Sequence, residues 1–453
     1  MKIIFVNPPV IRFGSDSPEN DPRLTSLPLK LKLKFRKHRH IYNFFNFCNI
    51  GKDARFGVRA GSRWPWTSQF PLSALHYPFI MGYAASLLKS NGIEVNLIDA
   101  VAAEEYSYSS FINQVKREKS DIVVIECSTP TIDIDLWMAK EISKFTKVAL
   151  AGPHLTTNAQ DIQNRFPFIT FLLKGEYIKS SLLMAQTEKP GIYDSEVISD
   201  LDILPYPYRD YAMGTAYFDP TMPTNRPQLQ IYGSKGCPFR CSFCMWPHTM
   251  YQGKVTLRKP EKIAEEIKYC VNKFGYKSVF FDDDTFNLGT ERISRLCDEL
   301  KIIGLPWTMM GRLDCSPDWL YDKMVECGCV GMRFGIESFN HEVLKRINKG
   351  IERVDFKKTL EYLSKMYPSI YIHVTMMKNL PGQTEVIHMR DMEILHDLGF
   401  SMENIFRSYQ LSSCAPFPGT KMHEDLVKDG STELQDYSRY DGYQETVMNE
   451  VNL

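Results

Sequence analysis

Short apolar runs alternate with helix-length stretches along most of this 453-residue chain, and that alternation restricts it to α/β architectures. In residues 1–190 the runs are Lys2–Asn7, Val95–Ala100, Asp121–Cys127, Lys147–Gly152 and Phe171–Lys174, with Gly82–Ser90 and Asp135–Phe145 reading as helices among them. Runs apolar on both faces suit parallel strands covered by helices on each side, a doubly wound sheet. Such sheets bind ligands beyond the carboxyl ends of their strands. Here those ends carry small or turn-forming residues: Asn7-Pro8-Pro9, Ser128-Thr129-Pro130, Gly152-Pro153-His154 and Gly175-Glu176. No G-x-G-x-x-G follows the first strand, which argues against a dinucleotide.

A linker at 191–225, containing Leu204-Pro205-Tyr206-Pro207-Tyr208, leads into a second series. Its strand-like runs are Leu229–Tyr232, Ser278–Phe281, Trp307–Gly311, Gly331–Gly335, Tyr371–Met376 and Ile405–Leu411, with Glu261–Lys273 and Glu291–Ile303 as helices. Six such units predict a partial barrel over 226–425, not the closed eight-unit one. Residues 426–453 remain as a short C-terminal segment. An insertion at 22–70 interrupts the first series. Within it Leu27–Phe35 has strict period two and is followed by Arg36-Lys37-His38-Arg39-His40, which predicts a strand with one basic face. It reads as a lid or anionic-substrate contact, or else as a solvated face. Arg63-Trp64-Pro65-Trp66 reads as pocket lining or as a packed loop.

Composition is that of an ordinary globular protein, with 43% hydrophobic and 24% charged residues. Lys+Arg and Asp+Glu both number 54, so no global charge draws nucleic acid or a membrane surface. No apolar run reaches the ~18 residues of a membrane span, and the apolar stretch after Met1-Lys2 is too short for a signal peptide. The eleven cysteines are scattered apart from Cys327/Cys329 and one trio. That usage fits a reducing cytoplasm, where disulfides are rare.

The trio is Cys237, Cys241 and Cys244, in Gly236-Cys237-Pro238-Phe239-Arg240-Cys241-Ser242-Phe243-Cys244. An odd count in so tight a loop is no disulfide framework. It can supply three ligands to one metal centre. A [4Fe–4S] cluster normally takes four cysteines, so three leave one iron open for chemistry. The alternatives are a zinc site with His248 as fourth ligand, although zinc ligands usually come as two separated pairs, and buried thiols with no ligand role. Gly236 and Pro238 suit a tight loop. Phe243 reads as a shield for the cluster, as a contact for a flat ligand, or as core.

The trio, with an aromatic residue before its last cysteine, resembles the radical S-adenosylmethionine (SAM) superfamily. The resemblance implies that Cys237, Cys241 and Cys244 hold a [4Fe–4S] cluster whose fourth iron is chelated by SAM, which an electron cleaves to a 5′-deoxyadenosyl radical. Later strand ends match the family in order: Phe281-Asp282-Asp283-Asp284-Thr285-Phe286, Gly311-Arg312, Gly335-Ile336-Glu337-Ser338, Leu380-Pro381-Gly382-Gln383-Thr384 and Pro416-Phe417-Pro418-Gly419-Thr420. On this resemblance Asp283, Asp284, Arg312, Glu337 and Gly382 stand on the SAM side. Adjacent carboxylates need a cation or a hydrogen-bond net, and an arginine can pair with the methionyl carboxylate.

The first series is similar to the cobalamin-binding, Rossmann-like domain that precedes many such cores, through FVNPP at 5–9, STPT at 128–131 and LAGPH at 150–154. Asn7, Ser128, Thr129, Gly152 and His154 are then cofactor-side residues. The D-x-H-x-x-G signature is absent, so neither His76 nor His154 is expected to ligate cobalt. The resemblance implies a cobalamin-dependent (class B) methyltransferase acting on an unactivated carbon of a small-molecule, lipid or peptide substrate, with a flavodoxin or ferredoxin as electron donor. Oxidative cyclisation or rearrangement with the same cofactors is the alternative enzyme, and an iron–sulfur or cobalamin sensor the alternative class. A transfer-RNA methylthiotransferase should show a second cysteine trio and a basic RNA module, and neither is visible.

Overall fold

Two parallel sheets account for the alternation. The computed structural model describes residues 1–9, 11–13, 31, 39–48, 54–57, 66–67, 75–105, 107–350, 355–428, 437–440 and 442. These divide into two compact units. One takes in the described residues of Met1–Glu196, Pro205–Gly214 and Leu434–Asp441, the other those of Val197–Leu204, Thr215–Glu433 and Gly442–Leu453. Among the described residues no helix is long and apolar enough to cross a membrane.

The first unit opens with β1 (Lys2–Asn7). Next come β2 (Ile11–Phe13), α1 (Arg39–Phe47), β3 (Ala54–Gly57) and β4 (Trp66–Thr67), in which the three strands form a small antiparallel sheet. The alternating stretch Leu27–Phe35 lies outside the described residues except for Leu31, as do Arg63–Pro65. The main series continues with α2 (Phe79–Ser90), β5 (Glu94–Asp99), α3 (Tyr108–Arg117), β6 (Ile122–Glu126), α4 (Ile132–Ser143), β7 (Lys147–Gly152), α5 (Leu155–Arg165), β8 (Phe171–Lys174), α6 (Ile178–Thr187) and β9 (Gly191–Tyr193). The sheet order is β5-β1-β6-β7-β8-β9, parallel throughout. The order of strand addition reverses at β1, with β5 on one side and β6 to β9 on the other, which makes the crevice beyond the carboxyl ends of β1 and β6 the switch point of the sheet. Both faces are covered: Ile4, Val6, Val123 and Leu150 belong to one core with α3 and α4, while Ile3, Phe5, Val124 and Ala149 on the opposite face are also fully buried.

Two details differ from the sequence reading. The first helix of the main series starts at Phe79, behind Pro78, and not at Gly82. Gly82 lies inside it because the Tyr77 ring fills the space a β-carbon would need, with its hydroxyl 2.1 Å from that point. The start of the linker is also an element of its own, since Gly191–Tyr193 pairs with β8 as an edge strand.

The second unit holds β10 (Gln228–Ile231), β11 (Ser234–Lys235), α7 (Met245–Thr249), β12 (Thr256–Leu257), α8 (Pro260–Phe274), β13 (Ser278–Phe281), α9 (Thr290–Ile303), β14 (Trp307–Gly311), α10 (Asp318–Glu326), β15 (Cys329–Glu337), α11 (His341–Arg346), α12 (Phe356–Met366), β16 (Tyr371–Lys378), α13 (Glu385–Asp397), β17 (Arg407–Ser413) and α14 (Lys421–Lys428). Six strands pair in sequence order, β10-β13-β14-β15-β16-β17, all parallel. Helical crossovers and sequential order give an open barrel. Period-two alternation sorts its side chains. Leu229, Val279, Met309, Phe334 and Val374 join the helices in the outer core. Gln230, Phe280, Thr308, Arg333 and His373 therefore face the lumen.

Candidate functional site: a cysteine loop on the barrel

The cysteine loop leaves β10 and is pinned from four directions. Asp283, just past β13, accepts from the Gly233 amide at 2.8 Å and the Ser234 hydroxyl at 2.6 Å. Asp284 accepts from the Gly236 amide at 2.8 Å. Asn348 Nδ2 donates to the Arg240 carbonyl at 2.9 Å, and the Ser242 amide donates to the Ile347 carbonyl at 2.8 Å. The Met422 amide reaches the Ser242 carbonyl at 3.0 Å. Gly236 has φ +83°, and a β-carbon there would sit 2.1 Å from the Lys254 carbonyl. Only glycine fits where the β11–β12 hairpin closes on the loop.

Cys237 Sγ lies 3.3 Å from Thr285 Oγ1. Cys241 is buried, and Cys244 opens α7 with its amide donating to the Cys241 carbonyl at 3.1 Å. Burial pushes the Cys241 thiol up, while the nearby Lys349 and Arg312 cations pull it down. Lys349 is itself buried and pairs with Glu337 at 2.8 Å. Gly335 leaves room for that pair, because a β-carbon on it would meet Glu337 Oε1 at 2.7 Å and Lys349 Nζ at 3.2 Å. Arg312 forms a two-pronged pair with Asp314 at 2.9 and 2.8 Å, donates to the Lys349 carbonyl at 2.9 Å and stacks on Phe239 at 3.5 Å. Burial lowers the Arg312 pKa, but the Asp314 hydrogen bonds and charge raise it overall.

The donor chemistry fits an iron–sulfur cluster: three thiols on one braced loop, with two buried cations able to offset thiolate charge. No three His, Cys, Asp or Glu side chains among the described residues converge on a single ion. A cubane spreads its cysteines over different irons and needs no such convergence. His248 Nε2 lies 3.3 Å from the Cys241 carbonyl.

Several of the residues read as cofactor-side also have contacts of their own within the protein. Asp283 is fully buried, and burial holds its carboxyl up at about 7 against the hydrogen bonds from Ser234 and Gly233. It braces the loop backbone. Arg312 is already engaged by Asp314. Phe243 packs against the outer core. Gly382, at φ +77°, sits in a turn where its β-carbon position is 2.6 Å from Arg346 Cδ. Gln383 braces that turn through the Met377 carbonyl and Asp391. Lys349, Thr285, Asp314 and Phe239 escaped the sequence reading. The Asn348-Lys349-Gly350 turn, with positive φ at Asn348 and Gly350, was the one local sign of Lys349.

In the first unit Asn7 ends β1 and donates to Asp99 at 2.9 Å, but its Oδ1 is buried with no hydrogen-bond partner among the described residues. Ser128 and Thr131 hydroxyls are 2.9 Å apart, and Thr131 donates to Asp135 at 2.8 Å. His154 Nδ1 meets Thr129 Oγ1 at 3.1 Å, and its Nε2 meets Asn158 at 3.3 Å. Burial lowers the His154 pKa to about 4. Gly152 has φ +118°, and a β-carbon there would stand 2.7 Å from the Cys127 carbonyl.

An open six-stranded barrel with a thiol loop after its first strand defines a class, the barrel enzymes that carry an iron–sulfur centre at the carboxyl end of the strands. Residues 231–392 match the model of the Radical SAM superfamily. The chain therefore carries a radical SAM domain, whose cofactors are a [4Fe–4S] cluster and SAM. It is similar to an uncharacterized methyltransferase of Pyrococcus horikoshii, 25% identical over 391 residues that cover 80% of this chain and 81% of the relative. It is 27% identical to the bacteriochlorophyllide d C-12(1)-methyltransferase of Chlorobaculum tepidum over 48% of this chain, spanning 46% of that relative's length. The structure of the radical SAM methyltransferase TsrM from Kitasatospora setae, with cobalamin and a [4Fe-4S] cluster bound, shares the fold with a TM-score of 0.60 at 15% identity, covering 80% of this chain and 73% of TsrM.

Proposed function

We propose that the chain is a cobalamin-dependent radical SAM enzyme that methylates an unactivated carbon of a small-molecule, lipid or peptide substrate. One observation carries the reading. The chain joins a braced thiol loop on an open barrel to a second parallel sheet, whose switch point presents an unpartnered buried acceptor, Asn7 Oδ1. Two relatives bear methyltransferase names, and TsrM is recorded with cobalamin.

When bound, SAM at the reduced cluster supplies a carbon-centred radical and cobalamin supplies a transferable methyl group. The chain's own residues do the rest. Cys237, Cys241 and Cys244 hold the cluster. Lys349 and Arg312 place positive charge beside Cys241, which favours its thiolate. Asp283 and Asp284 fix the loop backbone. Glu337, held by Lys349, and Arg312 orient SAM. Asn7 Oδ1 would accept a hydrogen bond from an amide-bearing ligand such as cobalamin. Ser128, a small residue beyond β6, leaves room for that ligand, while Gly152 lets the chain turn close against the Cys127 carbonyl. Both ring nitrogens of His154 have protein neighbours, which supports a lower face without protein nitrogen. A flavodoxin or ferredoxin supplies the electron.

Anaerobic reconstitution with iron, sulfide and cobalamin tests the proposal. Expected are about four irons, the content of one cubane, stoichiometric cobalamin, and 5′-deoxyadenosine release from SAM on reduction. Iron uptake and SAM cleavage without any cobalamin uptake would remove the methyltransferase reading and leave the barrel chemistry.

A further inference from the structure

The floor of the barrel lumen has hydrogen-bonding groups that nothing in the chain satisfies. On three neighbouring strands Thr308 Oγ1, Arg333 Nε and His373 Nε2 are buried and have no hydrogen-bond partner among the described residues. Thr308, Arg333 and His373 are 0%, 5% and 4% exposed. Arg333 is directly opposite His373 across β15 and β16. Thr308 lies on β14, opposite Gly331, two residues before Arg333 on the same face. Buried polar atoms are normally satisfied by protein, by ordered water or by a bound molecule. Three orphans on the lumen face of three neighbouring strands therefore mark a place for an occupant.

The charges around them define what that occupant is. Arg333 Nη2 donates to Asp219 at 2.6 Å, and both side chains are buried, so the pair is neutral as a unit. Its other terminal nitrogen meets Met310 Sδ at 3.5 Å. His373 Nδ1 is 2.9 Å from Ser408 Oγ. Burial, then the Arg333 charge, lowers the His373 pKa to about 3, which keeps the imidazole uncharged. An anion or a cation placed here would be unbalanced in a site of low polarity. Above the floor, Gly335, Thr375 and Gln410 share a register position and are part-buried.

We infer that Thr308, Arg333 and His373 form an anchoring site, at the floor of the barrel, for an uncharged oxygen-bearing group of the substrate, an amide or a hydroxyl. Arg333 Nε donates to the group's oxygen. Thr308 exchanges a hydrogen bond with it, and His373 Nε2 takes the remaining partner. The substrate role rests on the proposed function. The binding site itself does not.

The test uses the full chain without cluster or cobalamin, labelled with 15N-histidine, and acetamide and acetate as probes. The His373 signals are identified by their loss in His373→Gln. Acetamide should shift them saturably, acetate should not, and Thr308→Val should weaken acetamide binding about tenfold, the worth of one hydrogen bond. The inference is overturned if acetamide leaves the His373 signals unmoved, if acetate shifts them equally, or if Thr308→Val binds acetamide as well as wild type. Should that variant not fold, the two wild-type titrations decide. Because no cofactor is needed, failure here leaves the proposed methyl transfer standing, and failure of methyl transfer leaves this result standing.

Discussion

Replacing Asp283 by asparagine should flatten the pH dependence of the barrel's stability. Wild-type Asp283 accepts from Gly233 and Ser234 while fully buried, and its pKa stands at about 7 against 3.8 for an ordinary aspartate. Between these values the folded chain keeps the proton and the unfolded chain releases it. Stability therefore falls as pH rises from about 4 to about 7 and levels off above that. The gap, at about 1.4 kcal/mol per pH unit, amounts to roughly 4 kcal/mol, of which roughly 2–3 kcal/mol falls between pH 5 and pH 8. Asparagine carries no proton to lose. Its oxygen still accepts from Gly233, and its amide can donate to Ser234 Oγ, whose own proton turns to the Thr285 carbonyl 3.2 Å away. Urea unfolding of both proteins at pH 5 and pH 8 reads the difference. The stability of Asp283→Asn relative to wild type should rise by roughly 2–3 kcal/mol between the two pH values. Parallel pH profiles, or a change of the opposite sign, would refute a protonated Asp283.

Alanine at Cys237, Cys241 or Cys244 should abolish iron retention after anaerobic reconstitution, measured by iron assay and visible absorbance; tight zinc with negligible iron in the wild type would instead favour the zinc alternative. Gly335→Ala should push a methyl group into the Glu337–Lys349 pair and weaken SAM binding at least about tenfold by calorimetry, roughly the loss of one charge-assisted hydrogen bond, while iron content stays. Ser128→Trp should block cobalamin uptake yet leave SAM cleavage intact, as read by absorbance and by 5′-deoxyadenosine release. The electron-spin spectrum of cob(II)alamin on the wild type should show no axial nitrogen; nitrogen splitting would keep the function and overturn the binding mode.

Strand runs and the cysteine trio were legible because both are local. Apolar runs such as Asp121–Cys127 show their burial in their own composition, and three cysteines within one turn need no tertiary context. The braces were not legible. Lys349 is twelve residues from Glu337, beyond any helical or strand period, and meets it only because the chain returns after α11. Asp283 read as a partner for an ammonium because three adjacent aspartates signal charge. What decides its role is burial, which a run of residue types does not report. Arg312 was placed at its strand end from the Gly-Arg pattern, but its capture by Asp314 depends on the short helical turn Leu313–Cys315. Arg333 and His373 sit in strand runs as ordinary polar interruptions, and nothing local marks them as neighbours.

The two units have a practical consequence for anyone who would take them apart. Neither is an uninterrupted length of chain. Residues 197–204 count with the barrel although 205–214, which follow them, count with the first sheet. A fragment begun at Thr215 would keep every cysteine of the trio. It would lose the Ile198 carbonyl, which accepts from Lys235 at 3.1 Å and Thr256 at 2.9 Å on the two strands of the hairpin behind the loop. Asp202, which holds Arg258 and the Lys259 amide, would go as well. Such a fragment is the natural choice for dissecting the cofactors one at a time. Its loss of iron would report a damaged hairpin and say nothing about whether cobalamin is needed. Dissection is better done by point substitution in the intact chain.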